Sequence, residues 1–134
     1  MRKTTKVLAL GHEEWTHAVR QALPHWQKNC FVAVNNFWNL CVLPEPVSAD
    51  IAVIDDSFAQ SYVRYAAQYI RRRWPEAVIV VIGEQAKQLD DPLFDNHVSD
   101  ETSPGELVWL IETLAAAGKR IKKCVRPGPG GVRR

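Results

Sequence analysis

Short unbroken apolar runs alternate along this chain with longer stretches whose apolar residues recur every three or four positions. The first pattern is that of strands buried on both faces and the second that of amphipathic helices. Residues 6–10 form the first apolar run, closed by Gly11. Glu13 and Glu14 then open a helix, where acids suit the positive end of the dipole. Trp15, Ala18, Val19 and Ala22 share one face of it, and Pro24 stops it. Residues 30–34 read as a second strand. Asn36 caps a short helix whose Phe37, Leu40 and Cys41 share a face, broken by Pro44-Glu45-Pro46. Residues 50–55 are the third strand. A helix follows from Ser61 or an earlier residue, with Val63, Ala66, Ala67, Ile70 and Trp74 inward and Pro75 as its stop. The β-branched run 78–82 is the clearest central strand. Residues 84–95 are polar and poorly periodic, a frayed helix or loop, before a weak strand at 97–99. Ser103-Pro104-Gly105-Glu106 combines N-cap, first-turn proline and capping-box acid. Leu107, Leu110, Ile111 and Leu114 give the last helix its buried stripe, and the pattern extends it to about Lys123.

Strand and helix in alternation predict an α/β domain, a three-layer doubly wound sheet of five parallel strands. Right-handed crossovers favour strand order 2-1-3-4-5, the flavodoxin-like arrangement. The composition, 46% apolar and 24% charged over 134 residues, suits one domain with a full core. Charge divides the chain in two. Residues 1–118 hold ten Lys/Arg against fifteen Asp/Glu, a net of −5, whereas 119–134 hold seven Lys/Arg and no acid. The expected organisation is a domain over 1–118 and a basic, disordered tail or linker over 119–134, whose Arg126-Pro-Gly-Pro-Gly-Gly run cannot pack a core. Cys30, Cys41 and Cys124 are odd in number and have no Cys-x-x-Cys spacing, which argues against a disulfide framework or zinc site. No run approaches the ~20 apolar residues of a membrane span, and the first apolar run is too short for a signal peptide. A cytoplasmic protein is expected.

The chemistry is concentrated at Asp55. It closes the run Ile51-Ala52-Val53-Ile54, and open α/β sheets place their sites at the C-terminal ends of strands. The segment Ala49-Asp50-Ile51-Ala52-Val53-Ile54-Asp55-Asp56, set in this strand–helix alternation, resembles the phosphoacceptor strand of bacterial response-regulator receiver domains. The resemblance covers about residues 5–118 and makes Asp55 the phosphoacceptor position. It also implies a pair of metal-holding acids after the first strand, a Thr or Ser ending the fourth and a Lys ending the fifth.

Those partners are missing. Gly11 and His12 occupy the acid positions, with Glu13 one residue late. Mg²⁺ takes oxygen ligands in near-octahedral geometry; glycine supplies no side-chain oxygen, and imidazole nitrogen is a poor substitute. Ile82 and Gly83 end the fourth strand without a hydroxyl, and Asp100 stands near the Lys position. Reversing one charge at ~4 Å in an effective dielectric of ~20 changes the interaction with phosphate by several kcal/mol. Phosphoryl transfer depends on metal and charge stabilisation. The resemblance therefore implies a pseudo-receiver, a two-component-type signalling module that is not an enzyme and needs no cofactor or metal, acting by protein–protein interaction. Two alternatives stay open: a receiver phosphorylated at Asp55, and an N-terminal regulatory domain of a DNA-binding transcription regulator.

Other residues suggest surfaces. Trp109 lies opposite the apolar stripe of the last helix, and Val108, Trp109 and Glu112 form a candidate interface for a protein partner or a homodimer through the last strand and helix. In the receiver family that region commonly mediates dimers and output contacts. Tyr62, Tyr65 and Tyr69 read as helix-edge packing with hydroxyls in water, and Arg71, Arg72 and Arg73 as complements to the helix dipole. His12, Glu13 and Glu14 could be a metal fragment, but a capped helix start explains them. His17, His25 and His97 are scattered. The basic tail offers nucleic acid only nonspecific attraction. No Gly-x-Gly-x-x-Gly, Walker loop or Gly-x-Ser-x-Gly elbow occurs.

Overall fold

The computed structural model describes residues 5–24, 27, 30–45, 47–55, 57–58, 60–83, 94–99 and 102–117. Five strands, β1 (Val7–Leu10), β2 (Phe31–Val34), β3 (Ile51–Ile54), β4 (Val78–Ile82) and β5 (Asn96–Val98), form one sheet in the order β2-β1-β3-β4-β5. All pairings are parallel, with Val7 opposite both Phe31 and Ile51, Ile51 opposite Val78, and Val80 opposite Asn96. The helices among the described residues are α1 (Glu13–Ala22), α2 (Phe37–Cys41), α3 (Val63–Arg73) and α4 (Pro104–Ala117), with a 3-10 turn at Gln60–Tyr62 leading into α3. The sequence expectation of a doubly wound sheet in the order 2-1-3-4-5 is met.

The two-residue period of a strand sorts the core into two layers. Leu8, Leu10, Ala52, Ile54, Ile79 and Val81 meet Leu40 of α2 and Val63, Ala66, Ala67 and Ile70 of α3. Val7, Ala9, Ile51, Val53, Val78, Val80 and Ile82 meet Val19 and Leu23 at α1 and Leu107, Leu110, Ile111 and Leu114 of α4. Burial on both faces explains why β1, β3 and β4 are apolar at every position. The helix starts follow their cap residues. Asn36 Oδ1 accepts from the Asn39 amide at 2.8 Å. Ser103 and Glu106 complete a reciprocal capping box, at 3.0 Å from the Ser103 amide to Glu106 Oε1 and 3.2 Å from the Glu106 amide to Ser103 Oγ.

Some local expectations shift. Cys30 precedes β2, and its carbonyl accepts from the Val7 amide at 2.9 Å. The last strand begins at Asn96, one residue earlier than its pattern suggested. Ala22 is exposed, because the buried stripe of α1 runs through Thr16 and Val19 toward Leu23. Residues 84–93, the extension of α4 toward Lys123 and the tail at 119–134 lie outside the described residues. No helix among the described residues is long and apolar enough to cross a membrane.

A polar pair at the edge of the sheet was not anticipated. Asp95 Oδ2, nearly buried, accepts from Arg71 Nη2 at 2.8 Å and from the Ile79 amide at 2.9 Å. Arg71 also donates to the Pro75 and Ala77 carbonyls at 3.2 and 2.8 Å. The pair therefore ties the end of α3 to β4 and the start of β5. The next residue, Asn96, is fully buried, and neither amide atom has a hydrogen-bond partner. Asp95→Ala should cost about 3 kcal/mol, since it strands a guanidinium and a strand amide together. Asn96→Leu, with the same branched outline and no unpaired polar atoms, should instead stabilise by about 1 kcal/mol. Urea unfolding midpoints of the two variants, moving in opposite directions, check both.

Candidate functional site

The strand order reverses between β1 and β3, so their C-terminal ends flank the crevice where sheets of this kind hold ligands. Gly11 follows β1 and Asp55 follows β3, joined by the Asp55 amide donating to the Leu10 carbonyl at 2.8 Å. The Gly11 amide donates to the Val34 carbonyl at 3.0 Å, and its own carbonyl accepts from Asn35 Nδ2 at 2.9 Å. Three parallel strands thus converge on this loop.

Asp55 is only 9% exposed. Its Oδ2 accepts from the Ser57 amide at 2.9 Å and from the Ser57 hydroxyl at 2.5 Å. Ser57 Oγ in turn accepts from the His12 amide at 2.8 Å. A relay from Asp55 through Ser57 to His12 therefore ties the loop after β3 to the start of α1. His12 caps that helix, its Nδ1 accepting from the Glu14 amide at 3.2 Å. His12, Glu13 and Glu14 are thus the cap and first turn of α1. Among the described residues no three His, Cys, Asp or Glu side chains come together as a metal-holding group.

Gly11 is required by crowding. A Cβ added there would meet Trp15 Cε3 at 2.6 Å, Asp55 Cβ at 3.0 Å and Ser57 Oγ at 3.1 Å. The volume in which a side chain after β1 would reach toward Asp55 is occupied by an indole ring and the Asp55–Ser57 turn. The donor set does not fit Mg²⁺: Gly11 offers no side-chain oxygen and its carbonyl accepts from Asn35, the His12 ring is committed to the cap, and Asp55 Oδ2 already takes two hydrogen bonds. Glu13 is exposed, on the first turn of α1.

Ile82 is buried, and Gly83 adopts φ 91°, a region that disfavours Ser or Thr. The Gly83 amide donates to the Val98 carbonyl at 2.9 Å, and His97 Nε2 lies 2.8 Å from the Gly83 carbonyl. His97 therefore belongs to the packing of the β4 and β5 ends. Asp100 lies outside the described residues.

Trp109 is 53% exposed on α4 and Glu112 is exposed one turn later, as the helical pattern indicates. Val108 does not join them. At 8% exposure it belongs to the core, because the buried arc of α4 widens through Val108 and half-buried Ala115 where the helix packs beside α1. Tyr62 and Tyr65 are exposed as expected, and Tyr69 differs. Tyr69 donates its hydroxyl proton to the Cys41 carbonyl at 3.4 Å and accepts from Arg73 Nη1 at 3.1 Å, so that hydroxyl is bonded within the protein. Phe37 stacks on Tyr62 with centroids 5.5 Å apart, and Tyr62 and Tyr65 stand 6.2 Å apart.

Ser57 and Trp15 are the site residues that sequence reasoning missed. Asp-x-Ser was a usable signal, since Asp and Ser side chains commonly bond backbone two residues on. No local signal pairs Trp15 with the loop after β3. Comparison with protein-family models, curated proteins and solved structures gives no match. Gly11→Ala should destabilise the fold by about 1–3 kcal/mol through overpacking against the indole, which thermal or denaturant unfolding will register.

Proposed function

We propose that this chain is a cytoplasmic, receiver-like signalling module that lacks phosphotransfer and acts by binding a protein partner or another copy of itself. The observation that carries the reading is the closed packing around Asp55. A phosphoryl group on that carboxylate needs room for three oxygens and a cation beside it. Here the volume beside Gly11 holds the Trp15 ring, and one oxygen of the carboxylate, Oδ2, is held by both Ser57 donors. With no side-chain ligand at Gly11, nothing on that side stabilises the negative charge that develops in the transfer.

The five-stranded parallel sheet in the order β2-β1-β3-β4-β5 is compatible with the receiver-like reading. Free thiols at Cys30 and Cys41 suit a reducing compartment. The interaction surface we favour centres on exposed Trp109 with Glu112 beside it. A large aromatic ring on the outer face of a helix supplies the contact area that anchors interfaces.

Incubation with a small-molecule phosphodonor and Mg²⁺, read by intact mass, should leave the chain unmodified. A stoichiometric adduct that disappears in Asp55→Ala overturns the reading. Trp109→Ala should weaken self-association or partner binding at least tenfold while leaving the unfolding midpoint nearly unchanged, since its ring is half exposed.

A further inference from the structure

Two helical faces on opposite sides of the sheet carry opposite charge, and each is centred on exposed aromatic rings. On one side Trp38 of α2 is 73% exposed and Tyr65 of α3 is 55% exposed, with Val42 and Tyr62 also exposed beside them. Asn36, Phe37, Trp38 and Tyr62 line an open depression of ≈ 300 Å³. Residues 57–75 contain Arg64, Arg71, Arg72 and Arg73 and no acid. Arg71 is committed to Asp95, and Arg73 to Tyr69 and the Pro44 carbonyl. Arg72 is exposed seven residues beyond Tyr65, hence on the same arc of α3. On the other side, Trp109 stands at the centre of the outer arc of α4 with exposed Glu106 and Glu112 three residues to either side. Pro104–Ala117 contains no Lys or Arg.

We propose that the α2/α3 face receives the α4 face of a second copy of this chain, with Trp109 entering the depression between Trp38 and Tyr62 and its flanking glutamates facing the arginines of α3. This pairing rests on the reading of the α4 surface given above, and names its partner. Charge selects it over the symmetric alternatives. A two-fold contact of α3 with α3 sets arginine against arginine, and one of α4 with α4 sets glutamate against glutamate. The two faces lie on opposite sides of the sheet, so one molecule cannot bring its own together. A pair so formed keeps one face of each kind open, the α2/α3 face on one copy and the α4 face on the other. Association of this head-to-tail kind proceeds to rings or chains and does not stop at two.

Light scattering on the full chain at rising protein concentration tests this. The average mass should climb past that of a dimer, and fall when salt is raised from about 50 to about 500 mM. Arg72→Glu and Glu112→Lys, both at exposed positions, should each weaken association about tenfold, with folding checked by circular dichroism. An equimolar mixture of the two variants should associate more strongly than either alone, because the reversed charges face each other again. A chain that stays monomeric, closes at a dimer, or gives a mixture no stronger than its components overturns the pairing. So does single-stranded nucleic acid bound through Tyr65 and Arg72 by a chain that does not self-associate. If Trp109→Ala abolishes association and Arg72→Glu does not, the α4 surface stands and only its pairing with α3 fails. If Trp109→Ala leaves association unchanged, the reading of the α4 surface fails with it.

Discussion

A parallel sheet has to be covered on both faces, and that constraint organises this molecule. Parallel neighbours cannot be joined by a tight turn, so successive strands need a crossover, and most crossovers here are helices that also cover the sheet. Chain direction and crossover hand place α1 and α4 on one side and α2 and α3 on the other. The reversal between β1 and β3 follows, and with it the meeting of Gly11, Asp55 and Ser57 at the C-terminal end of the sheet. The site is a consequence of how the sheet is wound.

At that end, packing governs the chemistry as much as charge does. Gly11 bears no side chain, and the Trp15 ring and the Asp55–Ser57 turn fill the space a carboxylate there would need, so adding one would not create a metal pocket. The hydrogen bonds from Ser57 to Asp55 and from the His12 amide to Ser57 give the strand-end carboxylate a structural role. One oxygen of a nearly buried acid is thus satisfied without a cation.

Much of this was legible in the primary structure. Runs such as Val78–Ile82 and the spacing of Leu107, Leu110, Ile111 and Leu114 reported directly on two-sided and one-sided burial. The caps at Asn36 and Ser103 involve residues three positions apart and were equally readable. What escaped depends on contacts between distant segments. His12 meets Ser57 across 45 positions, and Arg71 meets Asp95 across 24. Val108 was placed on the wrong side of its helix because the width of a buried arc depends on the neighbouring helix α1, which the pattern of α4 alone cannot reveal. Asp55 follows β3 as its apolar run indicated, and its Oδ2 is held by Ser57, two residues on.

The edges of the sheet restrict what can be added to it. β5 is only three residues long, and the Asp95 carboxylate, held by Arg71, stands at its start. On the opposite edge β2 spans four residues. Such short borders present few unpaired backbone groups to a foreign strand. Recruitment by β-augmentation, in which main-chain ladders supply affinity and any extended peptide can compete, has little purchase on this protein. Recognition has to be read from side chains on helices, where a single altered residue can redirect it.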